Sequence, residues 1–142
     1  RAYKKLYRSA IEKLKTGAPN ASCLLISPLD QGVRERGRIV SKKTLKKIIQ
    51  FQTEVAESMG CAYWNAREAM GGEGAIKRWR HHKPTLASGD LAHLTRKGRA
   101  LIGESLADAL FYSYALWKLQ NPLVRWKQAD NVAVTDSEDV KR

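Results

Sequence analysis

An aspartate and a histidine stand three residues apart, Asp90 and His93, in the stretch SGDLAHLTRKGRALIGESLADAL that covers residues 88–110. Histidine changes charge near neutral pH, so it can take a proton from a hydroxyl and later return it. A carboxylate beside it fixes the ring tautomer and stabilises the imidazolium that forms. Three residues on a tight turn bring two such side chains within hydrogen-bond reach. Together they would form the acid–base half of a hydrolase that works through a nucleophile. The same letters also suit a polar turn at the entry to a helix, and Asp-x-x-His alone does not separate the two.

Other residues carry weaker signals. Asn65 closes a short apolar run and is placed to meet a substrate, although asparagine also ends strands as a turn former. MGGEG, residues 70–74, holds Gly71 and Gly72, which allow a backbone to approach a substrate closely or simply make a flexible turn. Trp79, within KRWRHHK, is the tryptophan best suited to a surface role such as stacking on a sugar. Trp64 and Trp117 read as core or core edge. The scatter of the four tryptophans, Trp126 included, argues against a row of base-stacking platforms. His81 and His82 lie in a basic segment and read as solvated. No Cys/His spacing matches a zinc site, and no metal or other cofactor is implied.

The elements that would position these residues follow from periodicity. Residues 2–16 place Tyr3, Leu6, Tyr7, Ala10, Ile11 and Leu14 at helical spacing, and Gly17 and Pro19 stop that helix. SCLLIS, residues 22–27, is a compact apolar run that suits a strand buried on both faces. PLDQGVRERGR reads as a polar loop. Residues 42–59 predict a second helix, with Gly60 closing it in a left-handed conformation. CAYWN, residues 61–65, predicts another strand. Residues 66–89 read as irregular around a short helix near 74–81. Thr95 caps a final helix whose apolar face holds Leu101, Ile102, Leu106, Ala109, Leu110 and Tyr114. Helix and strand alternate, which predicts α/β layering with a parallel sheet. Two strands do not make a stable sheet alone, so the sheet is expected to begin before residue 1. In such sheets ligands sit beyond the carboxyl ends of the strands, the edge to which Asp90 and His93 return.

The 142 residues suffice for one modest domain, and 43% hydrophobic content excludes a disordered chain. No apolar run approaches the roughly 20 residues of a membrane span. No signal peptide is visible, but residue 1 is Arg rather than Met, so any targeting segment is expected to precede it. A net charge of +12 favours acidic partners such as nucleic acid, anionic lipid or an anionic envelope polymer, or else a solvated basic surface. Cys23 and Cys61 both open predicted strands. Two buried thiols are the expectation; two cysteines alone do not establish a disulfide, and the redox compartment stays open.

GDLAHLTRKGRALIGESLADAL resembles the last block of the SGNH (GDSL-type) hydrolases, in which Asp-x-x-His is followed by Leu-Thr, a Gly and a helix. LLISPLD, residues 24–30, resembles the fourth strand and Pro-containing loop of that family. YWNAREAMGGEGAIKRW, residues 63–79, resembles the fifth strand and the Met-Gly-Gly segment of an envelope-associated subset that includes peptidoglycan O-acetylesterase-like members. The resemblance covers residues 2–117 and implies a three-layer α/β/α, flavodoxin-like domain of which this chain holds only the C-terminal strands and helices. It implies residues 1–120 as the C-terminal part of that domain and 121–142 as a polar tail. It also implies ester hydrolysis by a Ser-His-Asp triad, with His93 as the base and Asp90 orienting it. The family's Gly-Asp-Ser nucleophile block and its oxyanion-hole Gly and Asn blocks are not in the sequence. Ser88-Gly89-Asp90 has those letters reversed, and Ser105 lies inside the last helix rather than on a nucleophile elbow. The nucleophile is therefore expected upstream of Arg1, and residues 1–142 alone are expected not to turn over an ester.

The expected partner is an ester-bearing substrate, such as an acylated carbohydrate or peptidoglycan. Neither nucleic acid nor a membrane span is expected, and the oligomeric state stays open. By resemblance, a periplasmic or cell-envelope location is favoured over the cytoplasm. The same triad performs acyl transfer, which the sequence does not distinguish from hydrolysis. The alternative of a different class is a non-catalytic basic module that binds nucleic acid or an acidic partner, in which His93 would be dispensable and binding would fall steeply with salt.

Overall fold

The computed structural model describes residues 2–121. Among them the chain runs α1 (Ala2–Gly17), β1 (Leu24–Ile26), β2 (Gly32–Glu35), β3 (Arg38–Ser41), α2 (Thr44–Met59), β4 (Ala62–Trp64), α3 (Ala66–Ala69), α4 (Ala75–His81) and α5 (Arg96–Gln120). The fold is mixed α/β. β1 and β4 pair in parallel, with Leu24, Leu25 and Ile26 opposite Ala62, Tyr63 and Trp64. β2 and β3 form a separate antiparallel hairpin. The tail expected over 121–142 lies, beyond Asn121, outside the described residues, as does Trp126.

Alternation along the paired strands puts Leu25 and Tyr63 on one face. That face packs against Ile11 and Tyr7 of α1 and Val55, Ala56 and Met59 of α2. Leu24 and Ile26 point the other way and are 38% and 44% exposed. The expectation of a strand buried on both faces therefore holds for one face only. One layer of helices covers it, and nothing among the described residues covers the other. Gly60 ends α2 with φ 62°, as expected, and its amide and that of Cys61 close the helix on Glu57 and Ala56 carbonyls.

The cysteines sit at the strand starts but are not thiols. Cys23 and Cys61 are joined in a disulfide with Cα atoms 4.8 Å apart. Parallel pairing one residue later brings the two backbones to bridging distance, a consequence of register that neither cysteine reveals alone. A second correction concerns residues 28–38. The expected polar loop contains a hairpin that turns through Arg36 (φ 48°) and Gly37 (φ 75°). Positive φ at both central residues matches the right-handed twist of the flanking strands.

The second core gathers Met70, Ala75, Ile76, Ala87, Leu91 and Leu94, with Leu29, Ile39, Trp79 and Ile102 partly buried against it. This core sits under the Asp90–His93 turn. Of the apolar face expected along α5, Ile102 packs against this core and Leu101 is 45% exposed, and Gly98 is the helix's one buried residue. Trp117, expected at a core edge, is 43% exposed and stacks on Tyr114.

Candidate active site

The Asp90–His93 turn is built from the backbone outward. Leu91 and Leu94 are buried in the second core, so the residues between them are held up from below. Ala87 and Leu94 bridge as an isolated antiparallel pair, and the Ser88 amide donates to the His93 carbonyl at 2.8 Å. Leu91 sits at φ 60°, a left-handed conformation rare for a branched side chain. Its carbonyl accepts from the Gly32 amide at 2.7 Å, which ties the turn to the root of the β2–β3 hairpin. The left-handed residue folds the chain back so that Asp90 faces the residues that follow it. Asp90 Oδ1 accepts from the Ala92 and His93 amides, each at 3.0 Å. Its Oδ2 lies 2.5 Å from His93 Nδ1.

The carboxylate is therefore surrounded by donors, and its pKa falls well below the usual carboxylate range. The ring of His93 is the largest cause, followed by the two backbone amides. An ionised Asp90 beside Nδ1 selects the tautomer that carries its proton there, which leaves Nε2 as the basic nitrogen. The His93 side chain is 81% exposed, so that nitrogen is accessible. No Ser or Thr hydroxyl bonds to His93 among the described residues. The arrangement can take and return a proton, and it holds the base in one orientation.

A recess of about 370 Å³ adjoins His93, walled by Leu29, Leu94, Ile102 and Gly103 with Arg99 at its side. Arg99 is not free, because its Nη1 donates to the Leu94 carbonyl at 2.9 Å and so braces the residue after His93. Thr95 caps α5 as expected: Gly98 N donates to its Oγ1 at 3.2 Å, and the same hydroxyl donates to the Thr85 carbonyl at 2.9 Å.

The other residues singled out are placed by the same framework. Asn65 caps α3, its Oδ1 accepting from the Glu68 amide at 3.2 Å and the Ser27 hydroxyl at 3.1 Å. Gly71 and Gly72 take φ of 108° and 73°, which explains why glycine stands there. Their amides donate to the Glu68 and Arg67 carbonyls, each at 2.8 Å, so both are used within the loop. Arg78 fastens that loop through the Gly71 carbonyl at 2.5 Å and the Glu73 carbonyl at 3.1 Å. Trp79 is half-buried against the second core, and its carbonyl receives the Leu86 and Ala87 amides. His81 and His82 are exposed, and the ring Nδ1 atoms lie 2.8 Å and 2.9 Å from the Lys77 and Pro84 carbonyls.

One organising group escaped the sequence reading. Asp30 is fully buried and accepts from Ser41 Oγ at 2.7 Å, Arg67 Nε at 3.0 Å and the Ile76 amide at 3.0 Å. It thereby binds the hairpin, α3 and α4 to the end of β1. Removing one partner of such a buried pair costs about 3–5 kcal/mol, because the other charge is left unpaired. The signal was an aspartate four residues past the end of an apolar strand, which reads equally well as a turn former.

No family model matches the sequence, and none of the curated proteins matches it. Two solved structures share its fold. A peptidoglycan O-acetylesterase superposes over 78% of the chain with a TM-score of 0.68 and 24% identity. The esterase domain of the ORF1 protein from the zebrafish ZfL2-1 retrotransposon also covers 78% of it, with a TM-score of 0.56 and 19% identity. Both are esterases by name, so the likeness carried by the sequence blocks holds at the level of fold. The chain spans 31% of the length of the first and 58% of the second.

Proposed function

We propose that this chain supplies the base half of a serine esterase that removes acyl groups, acetyl above all, from a carbohydrate or peptidoglycan-type polymer. The observation that carries the reading is the Asp90–His93 pair: a carboxylate held ionised against Nδ1, with the opposite ring nitrogen open to a reactant. In the proposed reaction a serine hydroxyl attacks the ester carbonyl while His93 Nε2 takes its proton. The imidazolium, stabilised by Asp90, returns that proton to the departing alcohol, and a water repeats the cycle to release the acid. The serine and the oxyanion donors come from outside residues 1–142, so the chain alone does not turn over.

Two observations support the substrate and the compartment. One of the two structures that share the fold acts on peptidoglycan esters by its name. The Cys23–Cys61 disulfide suits an oxidising compartment such as the periplasm or cell exterior. The test is acetate release from O-acetylated peptidoglycan by the complete protein. His93→Ala is expected to lower kcat by about 10⁴-fold or more. Unchanged turnover would overturn His93 as the base, and no acetate release by the complete protein would overturn the esterase reading in favour of a basic binding module.

A further inference from the structure

The β2–β3 hairpin is a rigidly rooted arm whose tip carries three arginines in five residues, Arg34, Arg36 and Arg38. Its root is fastened three ways. Gly32 N donates to the Leu91 carbonyl, Lys42 N donates to the Gln31 carbonyl at 2.8 Å, and Ser41 Oγ donates to buried Asp30. A Cβ on Gly32 would stand 3.1 Å from Ile76 and 3.3 Å from Leu91, so the strand lies directly against the core beneath the Asp90–His93 turn. Four residues of strand at ~3.3 Å each carry the tip about 13 Å from that root.

The arginines at the tip are exposed and make no hydrogen bond or ion pair among the described residues. Arg8, Arg67, Arg78 and Arg99 instead bond within the fold, whereas Arg80 and Arg96 share the unpartnered state of the tip arginines without being clustered. Arg36 also occupies a left-handed turn position that Asn, Asp or Gly fills at lower cost, by about 1–2 kcal/mol. No side chain among the described residues pairs with the Arg36 guanidinium held there. Glu35, Arg36, Arg38 and Val40 line a recess of about 500 Å³ on one face of the hairpin, while Arg34, paired with Ile39, alternates to the other face. Guanidinium forks match carboxylates bidentately. Residues 32–41, GVRERGRIVS, contain no aromatic side chain on which a nucleobase could stack.

We propose that the β2–β3 hairpin is a docking arm for a carboxylate-bearing glycan, with Arg36 and Arg38 as its contacts in the recess and Arg34 flanking the tip from the other face, which holds the polymer alongside the Asp90–His93 turn. The proposal rests on the esterase reading and specifies how that site selects a polymeric, acidic substrate over a small ester.

Co-sedimentation of the chain with purified peptidoglycan tests it, because binding is read without turnover. Replacing the three arginines by Gln (R34Q, R36Q, R38Q) is expected to weaken binding ~10-fold or more, as loss of charge-assisted pairs does, with R34K, R36K and R38K together recovering only part. Amidating the glycan's carboxyl groups is expected to have the same effect as the Gln variant. Removing equal charge from α2 and its entry (K43Q, K46Q, K47Q) is expected to leave binding largely intact. Equal loss in the lysine control, undiminished binding by the Gln variant, or retention of the amidated glycan would each overturn the proposal. So would displacement of the glycan by a DNA oligonucleotide that the Gln variant no longer binds. In the complete protein the two readings fail separately. The hairpin variant keeps hydrolysis of a small neutral acetyl ester, whereas His93→Ala loses hydrolysis and keeps the glycan.

Discussion

Asp90 has two tasks that draw on one charge. Its Oδ1 accepts the amides of Ala92 and His93 and so closes the turn, while Oδ2 receives the His93 ring. Asn in its place would keep an acceptor for the amides but would lose the charge that stabilises an imidazolium. Asp90→Asn in the complete protein is therefore expected to lower kcat by about 10⁴-fold while leaving the fold intact, a smaller loss than His93→Ala. The pH dependence follows from the same donors. The folded-state pKa of Asp90 is lowered, so its contribution to the turn is present in full above the ordinary carboxylate value and is lost only as pH falls through the lowered one. A carboxyl-carbon NMR titration should find Asp90 still ionised at pH 3.8, the ordinary midpoint; half-protonation there would mean that the His93 ring does not donate to it. The Asp90–His93 contact was legible from the sequence because it depends on a local turn. Asp30 was not, because its partners lie 11, 37 and 46 residues away.

The elements that hold this turn depend on one close approach. A Cβ on Gly98 would lie 2.1 Å from the Leu86 carbonyl oxygen, a backbone atom that no rotamer change can move. Glycine in the first turn of α5 lets the helix press against the strand-like segment 86–87 and brings Thr95 N to the Leu86 carbonyl at 3.0 Å. Gly98→Ala must push these apart. The expected cost is about 1–3 kcal/mol of overpacking, with shifted amide resonances at Leu94 and Thr95 and a fall in turnover from a displaced His93. A variant as stable as the parent with unshifted resonances would refute the close approach. Periodicity predicted α1, α2, both parallel strands, the short helix near 74–81 and the start of α5, since each depends on local pattern. It missed the hairpin because Arg-Gly is a weaker turn signal than Asn-Gly and three arginines masked the strand residues Val33, Ile39 and Val40. It placed an apolar face on α5, because spacing shows which residues share a face, not whether anything covers them. The disulfide depends on parallel register, a relation between segments 38 residues apart.

For the molecule as a whole, the β1–β4 sheet raises the question of what completes it. Two parallel strands are marginal alone, and β1 shows Leu24 and Ile26 on a face that no described residue covers, along with an unpaired edge. The solved structures of the same fold are longer, with this chain matching 31% and 58% of them. In the proposed enzyme the remaining chain would bring the nucleophile and also cover this face. One substitution in two contexts separates that arrangement from a sheet that simply ends at β1. Ile26→Lys replaces a half-exposed side chain in the isolated chain, where it should shift unfolding by no more than about 0.5 kcal/mol, as surface changes do. In the complete protein the same lysine would enter a buried interface without a counter-ion, which should cost several kcal/mol and abolish turnover although the residue lies outside the Asp90–His93 turn. Urea unfolding of both forms measures the contrast. An equally small effect in both would show that the face stays bare and that the serine must reach His93 without extending this sheet.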